Sequence, residues 1–126
     1  MNEVRVLIVD DQEPFRRAMA TVVEMTEGFM LVGSSATGEE ALVAAADLIP
    51  DLVLMDVHLP GIDGVEASRL LSGEPGAPVV VLLSTYDVDQ VDVAGCGAAA
   101  YIRKAVLGPD SLSTAWRSAT LTADQG

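Results

Sequence analysis

Short, nearly continuous apolar runs alternate with helix-patterned segments along the whole chain. The runs lie near residues 4–9, 29–34, 51–55, 78–83 and 98–102 and consist mainly of Val, Ile, Leu and Ala. A strand with one wet face would alternate apolar and polar residues. Runs with no polar side belong to strands covered on both faces, and such cover comes from helices in β-α-β crossovers. Five repeats of the β-α pattern therefore predict an α/β domain with a parallel sheet. Right-handed crossovers leave few topologies for it.

The helix signals lie between the runs. Pro14 suits a first helical turn, followed by an apolar face of Phe15, Ala18, Met19, Val22 and Val23. Thr37 or Gly38 starts a second helix with Glu39 and Glu40 in its first turn, and Pro50 stops it. Gly64 opens a third helix, carrying Val65, Ala67, Leu70 and Leu71. Pro109-Asp110-Ser111 opens the last, which carries Leu112, Ala115 and the packing residue Trp116. The stretch from Asp87 to Gly95 is short, acidic and β-branched, so the fourth helix is expected to be short or irregular. The tail from about Thr120 is expected to fray.

A chain of 126 residues suits one compact domain, taken as residues 1–126. The formal net charge is -12, with only seven basic side chains. Nucleic-acid binding draws on cations that neutralise phosphates, so direct DNA or RNA binding by this chain is not expected. No apolar stretch reaches the length of a membrane span. The single cysteine, Cys96, reads as a small packed side chain, and the expected compartment is a reducing cytoplasm.

The chemistry sits at the ends of the runs. Asp10 and Asp11 end the first, Asp56 the third, and Ser84 the fourth; Lys104, the only lysine, follows the fifth. In open parallel sheets the site lies beyond the carboxyl ends of the strands, where these residues would meet. Singly, each is an ordinary solvated strand-end residue. Together, three carboxylates repel unless a cation joins them, and Mg2+ suits oxygen donors and shares its shell with phosphate. Mn2+ is a second choice. His58, just after Asp56, can add its backbone carbonyl. Asp56 could then act as a nucleophile toward a phosphoryl donor, with Lys104 and the Ser84 hydroxyl contacting the phosphoryl oxygens. No GxxxxGK[ST] loop occurs, and one Cys with one His cannot close a zinc site.

The motifs VLIVDD, LVLMDVHLPGIDGVE, VVVLLST and AAYIRK occur in the order found in receiver domains of bacterial two-component response regulators, at nearly the same spacing. From Val4 to Ala119 the chain resembles that family, and VVVLLSTYD most resembles receivers joined to LuxR-type helix-turn-helix domains. The resemblance implies a flavodoxin-like, doubly wound (βα)5 sandwich with strand order 2-1-3-4-5. It makes Asp56 the phosphoacceptor, and Asp10, Asp11, Asp56 and the His58 carbonyl the metal site. Ser84 takes the switch hydroxyl position, Tyr101 the aromatic switch position, and Lys104 that of the phosphate-contacting lysine.

The implied function is a switch. A sensor histidine kinase donates a phosphoryl group in a Mg-dependent reaction, and a protein-interaction surface changes for an output domain or downstream protein. Turnover is limited to the chain's own phosphorylation and dephosphorylation. Three departures stand out. The segment from Ser84 to Lys104 is about two residues shorter than usual, Ala105 stands where many receivers have Pro, and residues 1–126 are expected to hold the receiver alone, either a stand-alone regulator or a fragment of a longer one. The first keeps open an alternative, a phosphorylation-independent receiver-like interaction module. It also shifts the expected homodimer contact to the first and fifth helices. A small phosphatase is disfavoured, because His58 stands where an acid-base aspartate would be needed.

Overall fold

The computed structural model describes residues 3–73, 75–85 and 95–125, with side chains through residue 120. Five strands form one sheet: β1 (Val4–Val9), β2 (Phe29–Ser35), β3 (Leu52–Asp56), β4 (Val79–Ser84) and β5 (Ala100–Arg103). Their order is β2-β1-β3-β4-β5, and every neighbouring pair is parallel. The expected fold class is therefore observed, each run shifted by no more than two residues. The helices among the described residues are α1 (Glu13–Met25), α2 (Gly38–Leu48), α3 (Gly64–Ser72) and α4 (Pro109–Gln125). The helix counted fourth from the sequence falls on residues 87–94, outside the described residues, so α4 is the segment counted fifth.

Alternation along the strands divides the core in two. Leu7, Val9, Val53, Met55, Val80 and Leu82 face Ala41 of α2 and Ala67 and Leu71 of α3. Val6, Ile8, Leu52, Leu54, Val81 and Leu83 face Met19 and Val23 of α1 and Leu112 and Ala115 of α4. This two-sided burial is why the strands read as unbroken apolar runs. Trp116 packs in the second layer, edge-on to Phe29 at a ring separation of 6.5 Å. Cys96 is buried in the first.

Local chemistry sets the helix ends. Pro lies in the first turn of α1. Thr37 caps α2, its hydroxyl accepting the Glu40 N–H at 3.0 Å, and the helix closes on Ile49 just before Pro50. The Asp63 carboxylate caps α3 by accepting the Glu66 N–H at 2.8 Å. Gly64 is required by proximity: a Cβ there would stand 2.8 Å from the Val57 Cα.

One local expectation fails. Ala18 is exposed on α1, because the buried stripe runs through Met19 and Val23 and leaves position 18 at its margin. Helix α4 spans Pro109–Gln125, and the Thr120 hydroxyl donates back to the Trp116 carbonyl at 3.0 Å.

Candidate functional site

The carboxyl ends of β1, β3 and β4 open into a cleft of about 330 Å3 lined by Asp11, Gln12, Asp56, His58, Thr85 and Lys104. Asp10 follows β1 and is fully buried, whereas Asp11 is exposed. Asp10 is held through both its side chain and its backbone. Its Oδ1 accepts the Gln12 N–H at 2.8 Å, and its backbone carbonyl accepts from Arg16 at 2.6 Å. Asp56 ends β3, and its Oδ1 accepts the His58 N–H at 3.2 Å.

Carboxylate oxygens of Asp10, Asp11 and Asp56 lie within 4.8 Å of one another. The predicted acidic set is thus brought together from two strands. Lys104 closes it from the far side of the sheet, where β5 hands over to a single 3-10 turn, Lys104–Val106. Its Nζ lies 2.7 Å from Asp10 Oδ2 and 3.2 Å from Asp56 Oδ2. Its remaining side meets the Phe15 ring, 4.1 Å from the ring centroid.

Burial pushes the Asp56 carboxyl above the ordinary carboxylate range. The Lys104 ammonium and the His58 N–H pull it back in part, while the Asp10 charge pushes it further up. An all-oxygen donor set whose mutual repulsion one ammonium offsets only in part is of the kind a hard divalent cation takes. The residues present therefore fit Mg2+ or Mn2+.

The other expected positions divide. Ser84 ends β4 and is fully buried, and Tyr101 is half-buried against the α2–α3 layer. The next residue after Ser84, Thr85, is exposed and lines the cleft. Sequence reasoning passed over Thr85, although period-two alternation carries the Leu83 side of β4, and hence the Asp56 side of β3, to position 85. It also passed over Gln12 and the ring of Phe15. Among the described residues no helix is long and apolar enough to cross a membrane.

The family model of the response regulator receiver domain matches residues 6–117. The chain is 41% identical over 103 residues to the response regulator GacA of Pseudomonas viridiflava, covering 80% of this chain and 48% of that protein. It is 34% identical over 103 residues to the transcriptional regulatory protein LiaR of Bacillus subtilis, covering 80% of this chain and 49% of that protein. The chain thus spans about half the length of the curated relatives it matches. Two solved structures are similar throughout. The signal receiver domain of the response regulator NarL from Mycobacterium tuberculosis superposes with a TM-score of 0.86 at 25% identity, covering 95% of this chain and 98% of that one. A CheY-like receiver domain protein from Methanospirillum hungatei gives 0.82 at 25% identity, covering 100% of each chain.

Proposed function

Because the chain belongs to the response regulator receiver family of two-component systems, we propose that Asp56 is its phosphoacceptor, loaded by a sensor histidine kinase. The observation that carries this reading is the convergence of Asp10, Asp11 and Asp56 with Lys104 at one sheet edge. A carboxylate oxygen of Asp56 attacks the phosphorus of a phosphohistidine. The new O–P bond forms as the P–N bond breaks, and the imidazole leaves with the electron pair and takes up a proton. Asp10, Asp11, Asp56 and the His58 carbonyl would hold Mg2+ or Mn2+. The bound cation supplies positive charge that offsets the crowded carboxylates and phosphoryl oxygens.

Lys104, already beside Asp56, contacts a phosphoryl oxygen as a flexible point charge. Ser84 supplies the switch hydroxyl, and Tyr101 repacks as that hydroxyl moves. Attack by water on the acyl phosphate resets the site, so catalysis is confined to the chain's own loading and unloading. Residues 1–126 act as one receiver unit in the cytoplasm. The partner that reads the changed surface is an output module, and transcription regulators among the relatives favour a DNA-binding one. A homodimer would form through α1 and α4; sedimentation with and without beryllofluoride tests it.

The test of acceptor function is incubation with acetyl phosphate and Mg2+, comparing wild type with Asp56→Asn. Phosphorylation of wild type alone is expected; equal labelling of the two rejects the reading. The phosphate-independent alternative rests on the shortened segment from Ser84 to Lys104, and a partner complex indifferent to Asp56→Asn would favour it.

A further inference from the structure

Of the charged residues in the cleft, Lys104 is the one whose place the backbone determines least. It leaves the sheet from β5, four residues long, in which none of the residues is buried. Its four-carbon stem is flexible, so the contacts of its head decide where the charge sits. Yet the side chain is only 8% exposed, and the ammonium has little water to turn to. Two of its contacts are the carboxylates of Asp10 and Asp56. The third is the face of Phe15, whose negative quadrupole attracts a cation.

Phe15, unlike Lys104, is mounted rigidly. It stands in the first turn of α1 next to Pro14, and its N–H donates to the Gln12 carbonyl at 3.1 Å. The Gln12 N–H is in turn held by Asp10 Oδ1. The ring is therefore tied to the same short turn that presents the acidic pair.

We propose that Phe15 is a positioning residue for phosphoryl transfer, its ring holding the Lys104 ammonium between Asp10 and Asp56. This rests on the acceptor reading of Asp56. With an aliphatic side chain at 15, the ammonium loses the one partner among the described residues that carries no negative charge. It then settles more tightly on the carboxylates, where it competes with a bound cation and is late in reaching the phosphoryl oxygens. The ring shares the charge without neutralising it, leaving the ammonium free to follow phosphate.

Phe15→Leu and Phe15→Tyr, the second keeping the ring, separate this from simple packing, with Phe15→Met replacing the first should it not fold. Phosphorylation by acetyl phosphate in saturating Mg2+ is expected to slow about fivefold in the Leu variant and to recover in the Tyr variant. In NMR spectra, the Lys104 Hε protons are expected upfield in wild type and in Phe15→Tyr through the ring current, and near ordinary lysine values in Phe15→Leu. A Leu variant as fast as wild type, a Tyr variant as slow as Leu, or Hε shifts indifferent to the ring would each overturn the proposal. Wild type that takes up no phosphoryl at all would instead overturn the acceptor reading on which it rests.

Discussion

The central strands and the edge strand β5 contribute to the same cleft in opposite ways. β3 is buried along its whole length, and β1 and β4 nearly so, each bonded to neighbours on both sides. The carboxylates of Asp10 and Asp56 are mounted on backbone that cannot shift without disturbing both core layers. β5 has one neighbour, and its four residues are all at least partly exposed. Lys104 leaves it through a short turn and is placed by two carboxylates and an aromatic face. The anionic half of the site is thus set by the fold and the cationic half by contact. Such a division suits a charge that must follow its counter-ion from a bare carboxylate to a phosphoryl group.

Core truncation should expose the contrast most strongly. Leu54→Ala on β3 is expected to cost about 3–4 kcal/mol in urea denaturation, against about 1–2 kcal/mol for Ile102→Ala on β5. Equal losses would mean that β5 is as firmly built as the centre. Removing the contact-placed cation comes next. Lys104→Met leaves Asp10 and Asp56 facing each other and should cost about 2–3 kcal/mol in EDTA, less than a sealed buried pair because the cleft opens to water. Mg2+ should restore part of that loss; a cost insensitive to Mg2+ would argue against a shared electrostatic site.

The smallest effect is a gain. Burial raises the Asp56 pKa above its unfolded value, so the folded state binds its proton more readily and loses stability as pH rises through that window. The penalty is complete above the folded pKa and disappears below the ordinary carboxylate range. In EDTA, Asp56→Asn should therefore raise the melting temperature by a few degrees at neutral pH and by nothing in acid. Thermal scans across pH check this, and an Asn variant less stable at neutral pH would count against it.

Much of this was legible in the chain. Two-sided burial writes strands as unbroken apolar runs, and Pro14, Thr37 and Pro109 announce three helix starts, so the parallel α/β class followed from the residues, whereas the strand order came from the family resemblance. The acidic cluster was legible because strand ends converge in any such sheet. What escaped depends on side-chain direction or on contact through space. Thr85, which also lines the cleft, was passed over because it lies just beyond the end of β4, where the apolar run that marks the strand has stopped. The outward turn of Ala18 is a matter of where a helical stripe ends. The Phe15 ring beneath Lys104 joins residues from opposite ends of the chain, and no local pattern announces it.

The site is tested most directly by finding which atom carries the phosphoryl group. Protein treated with acetyl phosphate and Mg2+ can be reduced with borohydride, which converts an aspartyl phosphate to homoserine, and the altered residue located by peptide mass spectrometry. Homoserine at position 56, and at none of the other aspartates, is the expected result. Modification at Asp10 or Asp11, or none in protein shown to bind Mg2+, would contradict it.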